Sequence, residues 1–147
     1  MITFDKQETE TRLSAILFRA EDLVPVFDFI GDRIVGDVKE RIKSTKLSPD
    51  GEAWAPWRPF TADMRSAAGN EEQGLLWDTG DLLDSIAVSI DGSFELAIGT
   101  DVAYAQELQE GIAGKQIARP FLGWEADDAA AIVRSIHQYI GFGRFTW

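Results

Sequence analysis

Apolar side chains recur every three or four residues in two stretches of the chain, and this spacing predicts two long amphipathic helices. The first covers residues 22–44, with Pro25 tolerated in its opening turn. The second covers residues 124–140. Gly31 and Gly36 each weaken the first helix by about 1 kcal/mol relative to alanine, so either they permit close packing or the helix is only moderately stable. The stripes expected to be buried are Phe27, Ile30, Ile34, Val38 and Ile42 in the first helix, and Ala129, Ile132, Val133, Ile136 and Ile140 in the second.

Two other stretches alternate in the manner of β-strands, and we expect them to form a small antiparallel sheet. Residues 10–18 carry apolar side chains on both alternating faces, which indicates a strand covered on both sides. Residues 86–99 indicate a hairpin around Asp91-Gly92. A two-residue turn would place the apolar sets of its strands on opposite faces, whereas a three-residue loop at 91–93 gives one apolar face, so we expect the longer loop. Its pairs would be Ile90 with Phe94, Val88 with Leu96 and Ile86 with Ile98.

Prolines make the stretch of residues 44–61 irregular. It contains a turn at Ser48-Pro49-Asp50-Gly51, where proline presets one torsion and glycine permits a positive one. Trp54, Trp57 and Phe60 follow close together. These rings either fold back over the protein's own core or meet a neighbouring subunit, since tryptophan is a frequent interface anchor.

The second half of the chain predicts shorter elements. Residues 61–74 are polar and small, which is typical of a mobile loop. Asp78 or Thr79 is expected to cap a short helix. Residues 101–110 indicate another short helix, which ends at Gly111 because glycine readily adopts the backbone conformation beyond a helix end.

The chain end combines an extended segment with an aromatic tail. Pro120 disfavours helix in its predecessor, so residues 117–122 are expected to be extended. The tail, residues 141–147, carries three aromatic rings and two glycines. Such a tail rarely packs on its own domain, so its rings either meet a partner subunit or remain without one. Together these patterns predict one domain over residues 1–147, with a strand region at 1–20. Its class is α+β, a small mainly antiparallel sheet with two longer helices packed on one face.

Composition narrows the classes of protein. The 147 residues are 45% hydrophobic, which suits one globular core, and no apolar run approaches the ~20 residues that cross a bilayer. The N-terminal segment lacks the pattern of a secretory signal. Absence of cysteine excludes disulfides, thiolate metal sites and a cysteine nucleophile. The net charge of -11 argues against sequence-specific nucleic-acid binding. It serves solubility or forms a surface that DNA passes without sticking.

Little in the sequence indicates catalysis, and we expect no catalytic residue, metal or cofactor. The one histidine, His137, is expected to be a half-buried packing residue of the last helix. Asp78, Asp81 and Asp84 recur every three residues, which favours a solvated, capping edge of a helix over a metal cluster. No glycine-rich phosphate loop and no calcium-binding loop is present in the sequence.

Four segments resemble the phage virion morphogenesis family of tail completion proteins, and related head-tail joining proteins share several of them. Two departures stand out: Leu108 occupies a position where the family has a histidine, and residues 1–20 do not align. The matching segments are Ser48–Trp57, similar to S-P-x-G-x-x-W-x-P; Leu76–Ile86, similar to L-x-x-T-G-x-L-x-x-S-I; Ile98–Gly111, similar to I-G-T, Y-A and Q-x-G; and Arg119–Gly123, which reads R-P-F-L-G.

This resemblance implies a structural protein that completes the tail and lets the head join it. It implies a homo-oligomer, expected to be a hexameric ring, which contacts other phage neck or tail proteins and occurs in the virion and, during assembly, in the host cytoplasm. Among the matched residues, Gly80 and Gly111 are expected near helix ends, and the planar Arg119 head suits carbonyls or carboxylates. The candidate interface residues are Trp54, Trp57, Arg58, Arg119, Phe142, Phe145 and Trp147.

Two other classes stay open. An acidic binding module that inhibits a host protein would also explain the net charge. A metal-dependent hydrolase would use Asp78, Asp81 or Asp84.

Overall fold

The central helix, α2, spans Val24–Glu40 in a computed structural model that describes residues 5–69 and 74–147. Pro25 lies in its first turn, as expected, and the helix continues into a π-helical turn at Arg41–Thr45. The predicted stripe from Phe27 to Ile42 is buried at all five positions. The helix predicted over residues 22–44 is therefore confirmed, and its stripe forms the floor of the core.

The other elements surround this helix, and together they confirm the α+β class. α2 packs against both strands of an antiparallel hairpin and against the last helix, and the first helix packs against the last. Within the described residues the sheet has two strands. The elements are α1 (Lys6–Glu21), α3 (Pro59–Ala68), α4 (Asp81–Ser85), β1 (Ala87–Asp91), β2 (Glu95–Gly99), α5 (Ala105–Glu110) and α6 (Asp128–Phe142).

The predicted N-terminal strand is wrong, because residues 10–18 lie inside α1. The Asp5 side chain caps this helix by accepting hydrogen bonds from the backbone N–H groups of Gln7 (2.9 Å) and Glu8 (3.1 Å). Glu8 also forms an ion pair with Arg12, one turn further along (2.5 Å). These local interactions favour helix where the loose alternation of apolar residues suggested a strand.

The hairpin is confirmed with a three-residue loop, but its register differs from the prediction. The loop consists of residues 92–94, so Ile90 pairs with Leu96 and Val88 with Ile98. This register keeps the four apolar side chains on one face of the sheet and leaves Phe94 exposed in the turn. The loop lies one residue later than predicted, so each residue of β1 pairs with a residue two positions further along β2. A shift of two positions leaves every side chain on the same face of the sheet.

The predicted buried stripe of α6 is also corrected. The helix buries Ala131, Ser135 and Tyr139, while Ala129 and Val133 are exposed. The C-terminal tail covers part of the face that is buried. The Ser135 hydroxyl donates to the Thr146 carbonyl, and the Tyr139 ring stacks on Phe145. The remaining stripe residues, Ile132, Ile136 and Ile140, are half-buried.

Several loop predictions need revision at their edges. Residues 59–68 form α3, so the irregular stretch ends sooner and the loop predicted over 61–74 is wrong as far as residue 68. Pro59 begins this helix, a position where its missing N–H costs nothing. Gly69 ends it with a φ of 72°. Residues 70–73 of the predicted loop lie outside the described residues.

The two short helices are confirmed. α4 begins after Gly80, which has a φ of 104°, instead of after a capping side chain, although the Thr79 hydroxyl accepts a 3.4 Å hydrogen bond from the Asp81 N–H. α5 begins at Ala105, four residues later than expected, and ends at Gly111 with a φ of 76°. Gly80 and Gly111 therefore occupy helix ends, as predicted.

Candidate functional site

The loop Arg119–Gly123 is held from two sides by hydrogen bonds that are buried or partly buried, and we call it the clasped loop. The Gln109 side chain binds it in both directions: its Oε1 accepts from the N–H groups of Phe121 and Leu122 (3.0 Å each), and its Nε2 donates to the Leu122 carbonyl (3.0 Å). Arg41 Nη1 donates to the carbonyls of Phe121 (2.7 Å) and Gly123 (3.2 Å). An irregular segment thereby has its polar backbone groups satisfied inside the protein.

The clasped loop is also tied to the tryptophan-containing loop before α3. Trp54 Nε1 donates to the Pro120 carbonyl (2.9 Å), and Arg119 donates back from Nε to the Ala55 carbonyl (2.9 Å) and from Nη2 to the Pro56 carbonyl (3.0 Å). Both side chains are buried, and burial lowers the pKa of the Arg119 guanidinium. The carbonyl-binding role expected for Arg119 is confirmed. The three hydrogen bonds join the two loops into one unit, which we call the joined loops.

Gly123 closes this unit against the Pro49 turn. Its φ is 143°, and a Cβ placed there would lie 2.8 Å from Pro49 Cγ. A side chain at this position would therefore force the two loops apart.

A cleft of about 420 Å³ opens beside the joined loops. The Trp57 ring lies on its wall, with the Arg65 guanidinium 4.7 Å from the ring centroid. Arg65 also donates to the Trp77 carbonyl (3.2 Å) and lies 3.6 Å from the Asp78 carboxylate. Arg65 thus connects the Trp57 ring to the backbone and carboxylate of residues 77 and 78.

Cations outnumber carboxylates along the cleft, although the chain as a whole is acidic. Four of the 14 lysines and arginines line it, against two carboxylates. The pKa of Tyr104, at its edge, is raised by burial and by the nearby charges of Asp81 and Asp78. Guanidinium groups beside a half-buried aromatic ring such as Trp57 suit an acidic or carbonyl-rich protein segment. The four cations are Arg58, Arg65, Lys115 and Arg119.

The structure separates the candidate interface residues into three places. Trp54 and Arg119 are buried in the joined loops. Trp57 and Arg58 line the cleft, where Arg58 donates to the Gly114 carbonyl (3.3 Å).

The aromatic tail packs mainly on its own chain. Phe145 stacks on Phe29 and Tyr139, with centroid distances of 5.5 and 5.6 Å. Trp147 lies under the Arg33 guanidinium at 5.8 Å. Phe142 is 68% exposed, and Phe145 remains 46% exposed despite its ring contacts.

Sequence reasoning missed Arg41 and Gln109 as the residues that hold the clasped loop. Gln109 belongs to a segment of the family resemblance, which was the available signal. Arg41 adjoins the buried stripe of α2 and reaches Phe121, 80 residues away, and nothing local marks that contact.

The structure gives little indication of chemistry at the residues considered for it. His137 is exposed on α6, so the prediction of a half-buried packing histidine is wrong. Among residues 5–69 and 74–147, no group of three or more histidines or carboxylates is placed to hold a metal ion. No helix in that same part of the chain is long and apolar enough to cross a membrane.

The segments that carry the family resemblance meet at this site. Leu76, Thr79, Gly80, Tyr104 and Arg119 come from three of these segments and line one cleft. The model of the phage virion morphogenesis family matches residues 4–141 of the 147-residue chain. No curated protein and no solved structure matches the chain.

Proposed function

The chain belongs to the phage virion morphogenesis family, which supports a structural role in phage assembly, and from this premise we propose that it completes the tail and enables the head to join it. The observation that carries the proposal is that side chains of the segments resembling the family bind the backbone of neighbouring loops. Their polar side chains, such as Trp54, Gln109 and Arg119, are occupied in holding backbone loops. Side chains held in this way fix the shape of the loops, as a contact surface for an assembly partner requires.

The proposed subunit acts as part of a homo-oligomeric ring, which the resemblance suggests is hexameric. Its neighbours are neck or tail proteins of the same phage, and it occurs in the host cytoplasm during assembly and then in the virion. The net charge of -11 favours an acidic bore that DNA passes without sticking. A subunit ring with a basic bore would reject that part of the proposal.

The cleft beside the joined loops is the proposed contact for a neck or tail partner. Trp57 offers a rigid ring, and Arg58 offers an exposed cation at the rim. A partner segment with carboxylates would be attracted there, while the rest of the acidic surface would repel it.

Deletion of the gene in its phage, followed by electron microscopy of the lysate, tests the function. Filled heads and tails of full length that fail to join are expected. Normal joined virions would reject the proposal.

Complementation of that deletion tests the cleft. We expect Arg58→Glu to reduce the yield of joined virions by tenfold or more, because it reverses a charge at the rim. Lys43→Glu makes the same change of charge at an exposed position away from the cleft and should complement normally. Equal yields from the two variants would show that the cleft is not the contact.

A further inference from the structure

Two apolar surfaces of the described chain lack cover from its own residues. The first is on α1, none of whose 16 residues is buried. Leu13, Leu17 and Phe18 are 54%, 63% and 72% exposed. Leu13 and Leu17 stand one turn apart on the same side of the helix, the spacing by which helices anchor in apolar grooves.

The second surface is a groove of about 490 Å³ over α2. Buried α2 residues such as Ile30 and Ile34 form its floor, and β2 and α6 form its walls. Val133 on the α6 wall is 52% exposed, and Trp124 at the groove edge is 63% exposed. The groove contains Ala129 and Val133, the α6 stripe residues whose periodicity indicates burial but which the fold leaves open.

We propose that α1 of one copy docks into this groove on the next copy, and this inference rests on the proposed ring. The occupant is a second copy because the chain itself supplies the matching part, an exposed helix with apolar anchors one turn apart. α1 contributes no residue to its own groove. Its C-terminal end is tied instead to the far end of α6, where Arg19 donates to the carbonyls of Ile140 (2.8 Å) and Gly141 (3.1 Å).

The charge distribution favours the same occupant. The chain carries a net charge of -11, so two copies repel each other over most of their surfaces. α1 is balanced, with three cations (Lys6, Arg12 and Arg19) and three anions (Glu8, Glu10 and Glu21). It can therefore approach a second acidic copy without the repulsion that the rest of the chain would meet.

The contact joins two different surfaces of the chain. The donor surface is α1 and the acceptor surface is the groove, so each copy presents one of each. Two copies could exchange α1 helices in a two-fold dimer, whereas a head-to-tail series of such contacts closes into a ring when the rotation between copies fits. The proposed ring requires the head-to-tail series.

Sedimentation velocity of the full chain over a range of concentrations tests this contact. Wild type is expected to form species larger than a monomer as concentration rises. Leu17→Glu places a charge on the donor surface, and Val133→Glu places a charge in the acceptor groove. Each variant alone should therefore stay monomeric. Met64→Glu is the matched control, because Met64 is an exposed apolar residue of α3 outside both surfaces, and it should associate like wild type.

Mixing the two variants gives the decisive result. Each retains the surface that the other lacks, so an equimolar mixture of Leu17→Glu and Val133→Glu should form a one-to-one dimer and nothing larger. A mixture that stays monomeric would overturn the proposal, as would a wild type that is monomeric throughout. Loss of association in Leu17→Glu with normal association in Val133→Glu would indicate contact between two α1 helices and overturn the groove.

Circular dichroism of each variant shows whether it is folded. If one variant does not fold, the association of the other variant still tests the contact. The outcome is independent of the phage experiment. Unjoined heads and tails after gene deletion, with both variants associating normally, would reject the α1 contact and leave the proposed function standing.

Discussion

Alanine at Gly31 should destabilise the protein, although alanine is the better helix former. Gly31 is buried in α2 where the helix crosses β1. A Cβ at this position would lie 2.7 Å from Val88 Cγ2 and 2.9 Å from Val88 Cγ1. Carbon atoms in good contact lie about 3.5–4.0 Å apart. Because valine is stiff about its first side-chain torsion, its methyl groups cannot rotate away freely, and helix and strand must separate.

Gly36, in the same helix, supplies the comparison. It is exposed, and a Cβ there meets nothing within 4 Å. Gly36→Ala should therefore show the helix preference alone, a stabilisation of about 1 kcal/mol. Gly31→Ala gains the same amount but adds an overpacking cost of about 1–3 kcal/mol, and contact with two stiff methyl groups indicates the upper part of that range. The expected net loss is about 1–2 kcal/mol.

Urea unfolding measures both variants against wild type, with thermal unfolding as a second probe. The two alanine variants should differ by about 2–3 kcal/mol, or roughly 5–10 °C in Tm for a chain of this length. Adding Val88→Ala to Gly31→Ala leaves the Val88 Cβ 3.4 Å from the new methyl group, which is ordinary contact. Gly31→Ala should then cost less in the Val88→Ala background than in wild type. Stabilisation by Gly31→Ala equal to that by Gly36→Ala would refute this reasoning.

Three further predictions concern the joined loops and the shifted groups. Trp54→Phe removes the donor to the Pro120 carbonyl and should lower the unfolding free energy by about 1–2 kcal/mol; an unchanged urea midpoint would show that the bond is dispensable. Burial and the charge of Asp81 raise the Tyr104 pKa, so Asp81→Asn should lower that pKa in an NMR titration of labelled tyrosine, and a rise would contradict the assignment. Burial is the main cause of the raised pKa of Asp37, so the unfolded chain releases this proton first and stability falls as pH rises through the range just above the ordinary aspartate value. Asp37→Asn should show a smaller fall over that range in urea unfolding at successive pH values, and an equal slope would contradict the raised pKa of Asp37.

Local periodicity was sufficient to predict an element when only one of its faces is apolar, because that face must be the one packed on the core. The stripe of α2 has apolar residues at five successive positions spaced three or four apart, so this face of the helix had to pack on the core. The hairpin was predictable for a similar reason, since a single apolar face excluded the two-residue turn. Its register slipped because a shift of two in pairing keeps every side chain on its face, and the pattern therefore does not distinguish the two registers. The N-terminal helix had a readable local signal in Asp5 and the Glu8–Arg12 pair, which the apolar alternation obscured.

The sequence by itself determined the α+β class, the central helix, the two short helices bounded by Gly80 and Gly111, and the family resemblance. Only the tertiary structure decided which part of the α6 stripe is covered, how the tail packs, and which side chains hold the clasped loop. Periodicity identifies residues that share a face, but whether that face finds a partner depends on elements far away in the chain. The bonds that join the two loops link residues 63 to 66 positions apart, and Arg41 reaches the clasped loop across 80. No local pattern specifies such pairs, because the two partners lie far apart in the chain and only the folded core places them side by side.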